Sequence, residues 1–188
     1  MSSKYETFLD EEERRLLLAL ARSALELYVR EQKTSDVFVP KGKLRAPGAA
    51  FVTLTKKGRL RGCIGYTEAE APLYKVVREC VIAAATEDPR FSPVSVNELA
   101  FIDLEISVLT PLFPMRAEEV EVGRHGLVIS HQRRRGLLLP QVPVEHGWDR
   151  ETFLNKVCEK AGLPPGAWRR GAELKGFTAE VFGEKQRF

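Results

Sequence analysis

Phe51-Val52-Thr53-Leu54-Thr55-Lys56-Lys57-Gly58-Arg59-Leu60-Arg61-Gly62-Cys63-Ile64-Gly65-Tyr66 reads as strand, turn, strand. Phe51 to Thr55 forms the first strand, Lys56-Lys57-Gly58 the turn, and Arg59 to Tyr66 the second strand. Strict alternation puts Leu60, Gly62, Ile64 and Tyr66 on one face, and Arg59, Arg61, Cys63 and Gly65 on the other. Gly62 and Gly65 weaken a strand, so the pattern predicts that something needs this backbone close. With the apolar face in the core, Cys63 stands beside arginines, whose charge favours a thiolate. Three readings of Cys63 stay open: a reactive thiol, a member of a ligand-lining glycine-rich strand, or an inert small hydrophobe.

Working outward, Leu73, Val76, Val77, Cys80, Val81 and Ala84 recur at helical spacing after Pro72. Asp88-Pro89-Arg90-Phe91 ends that helix, and Ile102, Leu104, Ile106 and Val108 then alternate with polar residues as a half-buried strand. Residues 50–110 thus make one β-β-α-β unit. Residues 126–182 repeat the order. Leu127 to His131 and Leu137 to Leu139 flank a turn at Arg133-Arg134-Arg135-Gly136, a helix starts near Asp149, and Phe177, Ala179 and Val181 close the unit. Gly58 and Cys80 are 22 residues apart, as are Gly136 and Cys158, so the halves align on a 78-residue shift that sets Cys63 opposite Gln141. Upstream, Asp10 followed by Glu11-Glu12-Glu13 opens a helix within residues 1–33, with an apolar stripe of Leu17, Leu20, Ala21, Ala24 and Tyr28. Val37 to Pro47 reads as an irregular connector. The pattern predicts an α+β fold with a curved, mainly antiparallel sheet built from two repeats and flanked by helices, as one domain over residues 1–188.

Bulk properties narrow the function. A net charge of +3, from 29 basic and 26 acidic residues, is too balanced to argue for nucleic acid without a local patch. No apolar run approaches the roughly 18 residues of a membrane span. The opening Met1-Ser2-Ser3-Lys4-Tyr5-Glu6 lacks the apolar core of a secretion signal. Three widely spaced cysteines offer neither a disulfide framework nor a CxxC motif, so a cytoplasmic location is expected.

Several segments together resemble one family. They are Gly48-Ala49-Ala50-Phe51-Val52-Thr53-Leu54, the Leu60 to Gly65 run, Asp88-Pro89-Arg90-Phe91-Ser92-Pro93, Glu105-Ile106-Ser107-Val108-Leu109, Gly126-Leu127, Leu138-Leu139-Pro140-Gln141-Val142 and Gly147-Trp148-Asp149. In this order they resemble the AMMECR domain family, which includes the bacterial AmmeMemoRadiSam system protein A group. The resemblance implies a barrel-like curved sheet from two similar repeats, arranged as a large and a small lobe with the cysteine run near their cleft. It names no reaction and no cofactor. The system name implies companionship with a Memo-like, dioxygenase-related protein and a radical SAM enzyme.

The candidate site follows from these residues. Cys63 is the candidate nucleophile and Arg61 the candidate stabiliser of a thiolate or oxyanion, with Gly62 and Gly65 as close-approach surface. Arg59, Arg90 and Gln141 are candidate binding residues for a small anionic or carbonyl-containing molecule, or for a modified peptide. For Arg90 the pattern favours an ion pair with Asp88 or Glu87 that fixes the turn. His125, His131 and His146 show no metal-ligand spacing, so no metal site is expected. Lys56-Lys57-Gly58-Arg59 and Arg133-Arg134-Arg135-Gly136 form two basic hairpin tips, which support RNA binding less strongly than the small-molecule reading. A non-catalytic adaptor for the companion enzymes is the other alternative.

Overall fold

The computed structural model describes residues 9–34 and 42–185. In chain order its elements are α1 (Glu11–Glu31), β1 (Ala49–Lys56), β2 (Arg59–Tyr66), α2 (Leu73–Thr86), β3 (Ile102–Leu109), β4 (Phe113–Pro114), β5 (Gly126–His131), β6 (Arg134–Leu138), α3 (Gln141–Glu145), α4 (Arg150–Lys160), β7 (Glu173–Phe177) and β8 (Ala179–Gly183). Residues 1–8 of the expected N-terminal segment and 37–41 of the expected connector lie outside the described residues. The chain divides into two compact units: one runs to Leu109 and resumes at Glu180, and the other is Thr110–Ala179.

In the first unit, α1 starts where its acidic turn predicts. Asp10 accepts the Glu13 N–H at 2.8 Å, and Glu13 accepts the Asp10 N–H at 3.0 Å, a reciprocal capping box. Leu17, Leu20, Ala21 and Ala24 are buried as expected and pack toward α2, which buries Leu73, Val76, Val77, Cys80, Val81 and Ala84 against β1. β1 and β2 are joined by a tight turn in which Lys57 and Gly58 both have positive φ, 52° and 76°, the backbone that matches strand twist in a two-residue hairpin. The sheet order is β2-β1-β3-β8.

The second unit has its own core, centred on Leu127, Ile129, Phe153, Leu154 and Val157 beneath α4. Its sheet order, read from the hairpin edge, is β6-β5-β7-β4. In each unit the strand that follows the helix pairs antiparallel with the first hairpin strand, β3 with β1 and β7 with β5.

The fold is α+β, but three details differ from the sequence expectation. The strands make two open four-stranded sheets, so the expected single barrel-like sheet does not close. At the β2 edge a side-chain carboxylate, not another strand, accepts the Cys63 main-chain N–H. The expected closing strand of the second repeat is two strands: β7 lies between β5 and β4 in the second sheet, while β8 joins the first. The 126–182 boundary therefore overruns its unit. Finally, the second hairpin turns at Gln132-Arg133, with His131 paired to Arg134, so Arg134, Arg135 and Gly136 lie in β6. Gly136 is a strand glycine packed under the end of α4: a β-carbon there would stand 2.5 Å from the Ala161 nitrogen. The 78-residue alignment rested on reading that glycine as a turn.

Candidate functional site

The register of β1 with β2 shapes the cysteine run. Thr53 pairs with Cys63 and Leu54 with Gly62, but Thr55 pairs with Leu60, so Arg61 is an extra residue in a bulge. The bulge breaks the simple alternation. Leu60 is 43% exposed instead of buried, Tyr66 is exposed at the strand end, and Gly62 and Ile64 face the core. A β-carbon on Gly62 would overlap the Ala84 carbonyl at the end of α2, and one on Gly65 would overlap the Phe51 ring. Both glycines therefore allow close approach by the protein's own atoms.

Arg61 is bound on all sides. Its Nε and Nη2 donate to the Glu98 carboxylate at 3.0 and 3.1 Å, and its Nη1 donates to the Ser92 carbonyl at 2.9 Å. Lys56 Nζ adds a bond to Glu98 at 2.8 Å, and Glu98 also accepts the Ser95 N–H at 3.0 Å. The two cations, Arg61 foremost, hold the Glu98 carboxyl well below the usual carboxylate range. This guanidinium thus fastens the 92–98 segment to β2. Its expected place as a free charge beside the thiol is taken by that ion pair.

The backbone of Cys63 is fixed by a residue the sequence reading gave only to Arg90. Asp88 is 4% exposed; its Oδ2 accepts the Cys63 N–H at 2.9 Å and a bond from Arg90 Nη2 at 2.7 Å. Its Oδ1 accepts Arg90 Nε at 2.9 Å and the Arg90 N–H at 3.1 Å. The Arg90 hydrogen bonds, helped by the Cys63 N–H, hold the Asp88 carboxyl well below its ordinary value despite burial. Arg90 makes the ion pair with Asp88 while its own side chain stays 55% exposed. Its guanidinium and that of Arg61 both lie near the Phe91 ring, at 5.5 and 5.9 Å from the centroid.

The Cys63 side chain is half-buried, and its Sγ accepts the Thr53 hydroxyl at 3.4 Å. Register sets Cys63, Thr53 and Glu105 in one row across β2, β1 and β3, beside a row of Gly65, Phe51 and Ser107. A thiol, two hydroxyls and a carboxylate therefore share one sheet face. Cys80 and Cys158 are fully buried, and burial pushes the Cys80 thiol up to about 12.

A model of the AMMECR1 family matches residues 18–182. The chain belongs to the AMMECR1 family. It is 44% identical to a protein of Methanothermobacter thermautotrophicus, over 94% of this chain and 96% of that one. A Methanopyrus kandleri protein is 42% identical over 93% and 90%. The crystal structure of an uncharacterized protein from Pyrococcus horikoshii superposes with a TM-score of 0.89 at 38% identity, covering 95% of this chain and 94% of that one.

In this AMMECR1-family chain the remaining candidates lie elsewhere. Arg59 is exposed at the hairpin end, paired in register with Lys56. Gln141 opens α3 in the second unit, on a helix instead of the expected strand end, and its Oε1 is buried with no hydrogen bond. His125 is buried; its Nδ1 accepts the Glu121 N–H at 3.0 Å, and burial lowers its pKa, so it serves as a neutral acceptor within the second unit. His146 stacks on Trp148 at 4.7 Å. Among the described residues, no group of three His, Cys, Asp or Glu could hold a metal, and no helix is long and apolar enough to cross a membrane. Sequence reasoning missed Thr53 and Glu98 as site residues. Ser95-x-x-Glu98 carries a legible capping-box signature, but nothing local ties it to Arg61.

Proposed function

We propose that the chain is a cytoplasmic enzyme, or an enzyme component, that binds a carbonyl-containing small molecule or modified peptide at Cys63. The observation that carries this reading is a half-buried thiol whose main-chain N–H is clamped by a buried aspartate and whose sulfur meets the Thr53 hydroxyl. Such a thiol is accessible yet positioned, as nucleophilic capture requires. In the capture step the Cys63 sulfur adds to the carbonyl carbon. The π-electron pair moves to the oxygen, which takes up the proton that leaves the thiol, so no oxidant or further reactant enters. Arg61 acts here as a positioning residue and Arg90 as the exposed cation nearest in sequence to the clamp.

Iodoacetamide labelling with mass-spectrometric mapping tests the thiol directly, because Cys80 and Cys158 are shielded by burial. We expect Cys63 alone to label in the folded protein, and faster than a free thiol near neutral pH. Labelling no faster than a free thiol removes the activated-thiol reading. Native mass spectrometry after incubation with a metabolite extract should then show an adduct that is lost in Cys63→Ala.

A second reading is a non-catalytic adaptor for Memo-like and radical SAM partners. It draws support from the glycines and Arg61, whose contacts are explained by packing without any ligand. Under it, Cys63→Ser and Cys63→Ala keep function while Gly62→Val abolishes it.

A further inference from the structure

The arginine-rich second hairpin is unused by the reading above, and it borders a cavity in the second unit of about 310 Å3. His131, Gln132 and Arg134 form one wall, Arg170 stands on another, and Leu163, Pro164, Ala167 and Ala172 supply apolar surface. We propose that this cavity binds the phosphate group of a small phosphate monoester.

The charge of its lining sets this cavity apart. Its charged side chains are arginines, with an imidazole and an amide beside them and no carboxylate among the lining residues. A larger cavity in the same unit sets Glu118, Asp149 and Glu151 among its arginines, and there Arg169 is paired with Glu151 at 2.8 Å. A cavity at the end of β2 is lined by Glu68, Glu70 and Glu79. Of these three cavities, the one at the second hairpin alone joins two guanidiniums without an acidic lining.

Both guanidiniums are oriented by main-chain carbonyls. Arg134 donates to the Gly162 carbonyl, and Arg170 Nη2 donates to the Pro165 carbonyl at 2.8 Å. Each bond uses one N–H and leaves a planar fork with further donors, suited to paired oxygens of a phosphate. The wall that carries Arg170 is itself fixed. Asn155 Oδ1 accepts both the Gly166 N–H at 2.9 Å and the Trp168 Nε1–H at 3.1 Å, so the loop is organised before any ligand arrives. Two guanidiniums, an imidazole and an amide match the three terminal oxygens of a phosphate better than the two of a carboxylate. The apolar remainder fits an organic body, and the volume lies at the small end of ligand cavities.

Titration of the 15N-labelled full chain with inorganic phosphate, AMP and a short mixed-sequence RNA, read by amide chemical shifts, tests the assignment. We expect saturable shifts confined to residues 131–134 and 163–172, with AMP binding more tightly than inorganic phosphate. Arg134→Gln and Arg170→Gln should each weaken AMP binding about tenfold or more, the scale of one lost charge-assisted contact. Arg133→Gln, outside the cavity lining, should leave it within about twofold, and unchanged amide dispersion in each variant confirms the fold. No saturable shift with either phosphate compound overturns the proposal. So does undiminished binding in the Arg134→Gln, Arg170→Gln double variant. Tighter binding of RNA than AMP, weakened equally by Arg133→Gln, assigns the tip to nucleic acid and also overturns it. The result is independent of Cys63.

Discussion

Asp88 is the residue on which the candidate site turns. It is a buried carboxylate with two dissimilar partners, a main-chain N–H of an edge strand and a half-exposed guanidinium. Its folded-state pKa is depressed, so its contribution to stability is fully present above the unfolded value of about 3.9 and is lost as pH falls through the folded value. Asp88→Asn should cost about 1–3 kcal/mol at neutral pH, toward the lower end because solvent screens Arg90. The gap between wild type and variant should stay constant down to about pH 5 and narrow below about pH 4. Urea melts at a series of pH values measure it; a gap that widens in acid contradicts the assignment. Some of this was legible in Asp88-Pro89-Arg90, where a spacing of two residues brings carboxylate and guanidinium together in a turn. The bond from Cys63 was not, because it joins residues 25 apart through the edge of a strand.

At the scale of the element, periodicity carried most of the fold. α1, α2 and β3 show the 3.6- and 2-residue patterns of one buried face, and the structure buries those residues except Tyr28 of α1, which is half-buried. The β2 bulge left no such trace, because its register belongs to the pair of strands and not to either sequence alone. Glycines misled for a related reason. The sequence makes Gly136 a turn residue, yet it does in β6 what Gly62 does in β2, clearing room for a helix end, that of α4 at Ala161 and that of α2 at Ala84. Gly65 and Gly126 likewise each carry a phenylalanine ring from the neighbouring strand, Phe51 and Phe177. Both helix-end contacts are with main-chain atoms, which have little room to yield. Gly62→Ala and Gly136→Ala should therefore each destabilise by about 2–3 kcal/mol or more. Amide hydrogen exchange separates the two: Gly62→Ala should speed exchange in α2 and β1, and Gly136→Ala in α4 and β5. A change below about 0.5 kcal/mol at either site would show that the helix end shifts freely.

Across the whole molecule, the second unit is a continuous insertion and the first is closed by the far end of the chain. Alternation in residues 177–181 is visible in the sequence, but a strand's alternation is the same whichever sheet it joins, so the pattern does not show that β8 belongs to the first sheet. Its place in the first unit rests on three kinds of contact. Phe182 is 1% exposed within the first core. The Glu184 carboxylate accepts the Leu104 N–H at 2.9 Å and Arg22 Nε at 2.8 Å, while the Glu184 N–H donates to the Leu104 carbonyl at 3.1 Å. Glu180 accepts the Leu9 N–H at 3.0 Å and pairs with Arg14 of α1. A phenylalanine truncated in a core costs about 3–5 kcal/mol through lost burial and the cavity left behind. Phe182→Ala should thus lower stability by about that amount, with faster amide exchange in α1, β1 and β3 of the first unit. Glu184→Gln, which keeps the shape but weakens the Arg22 pair, should cost about 1 kcal/mol because both partners are partly exposed. If Phe182→Ala instead speeds exchange first in α4 and β5, the closing strand belongs with the second unit, as its sequence position alone would have it.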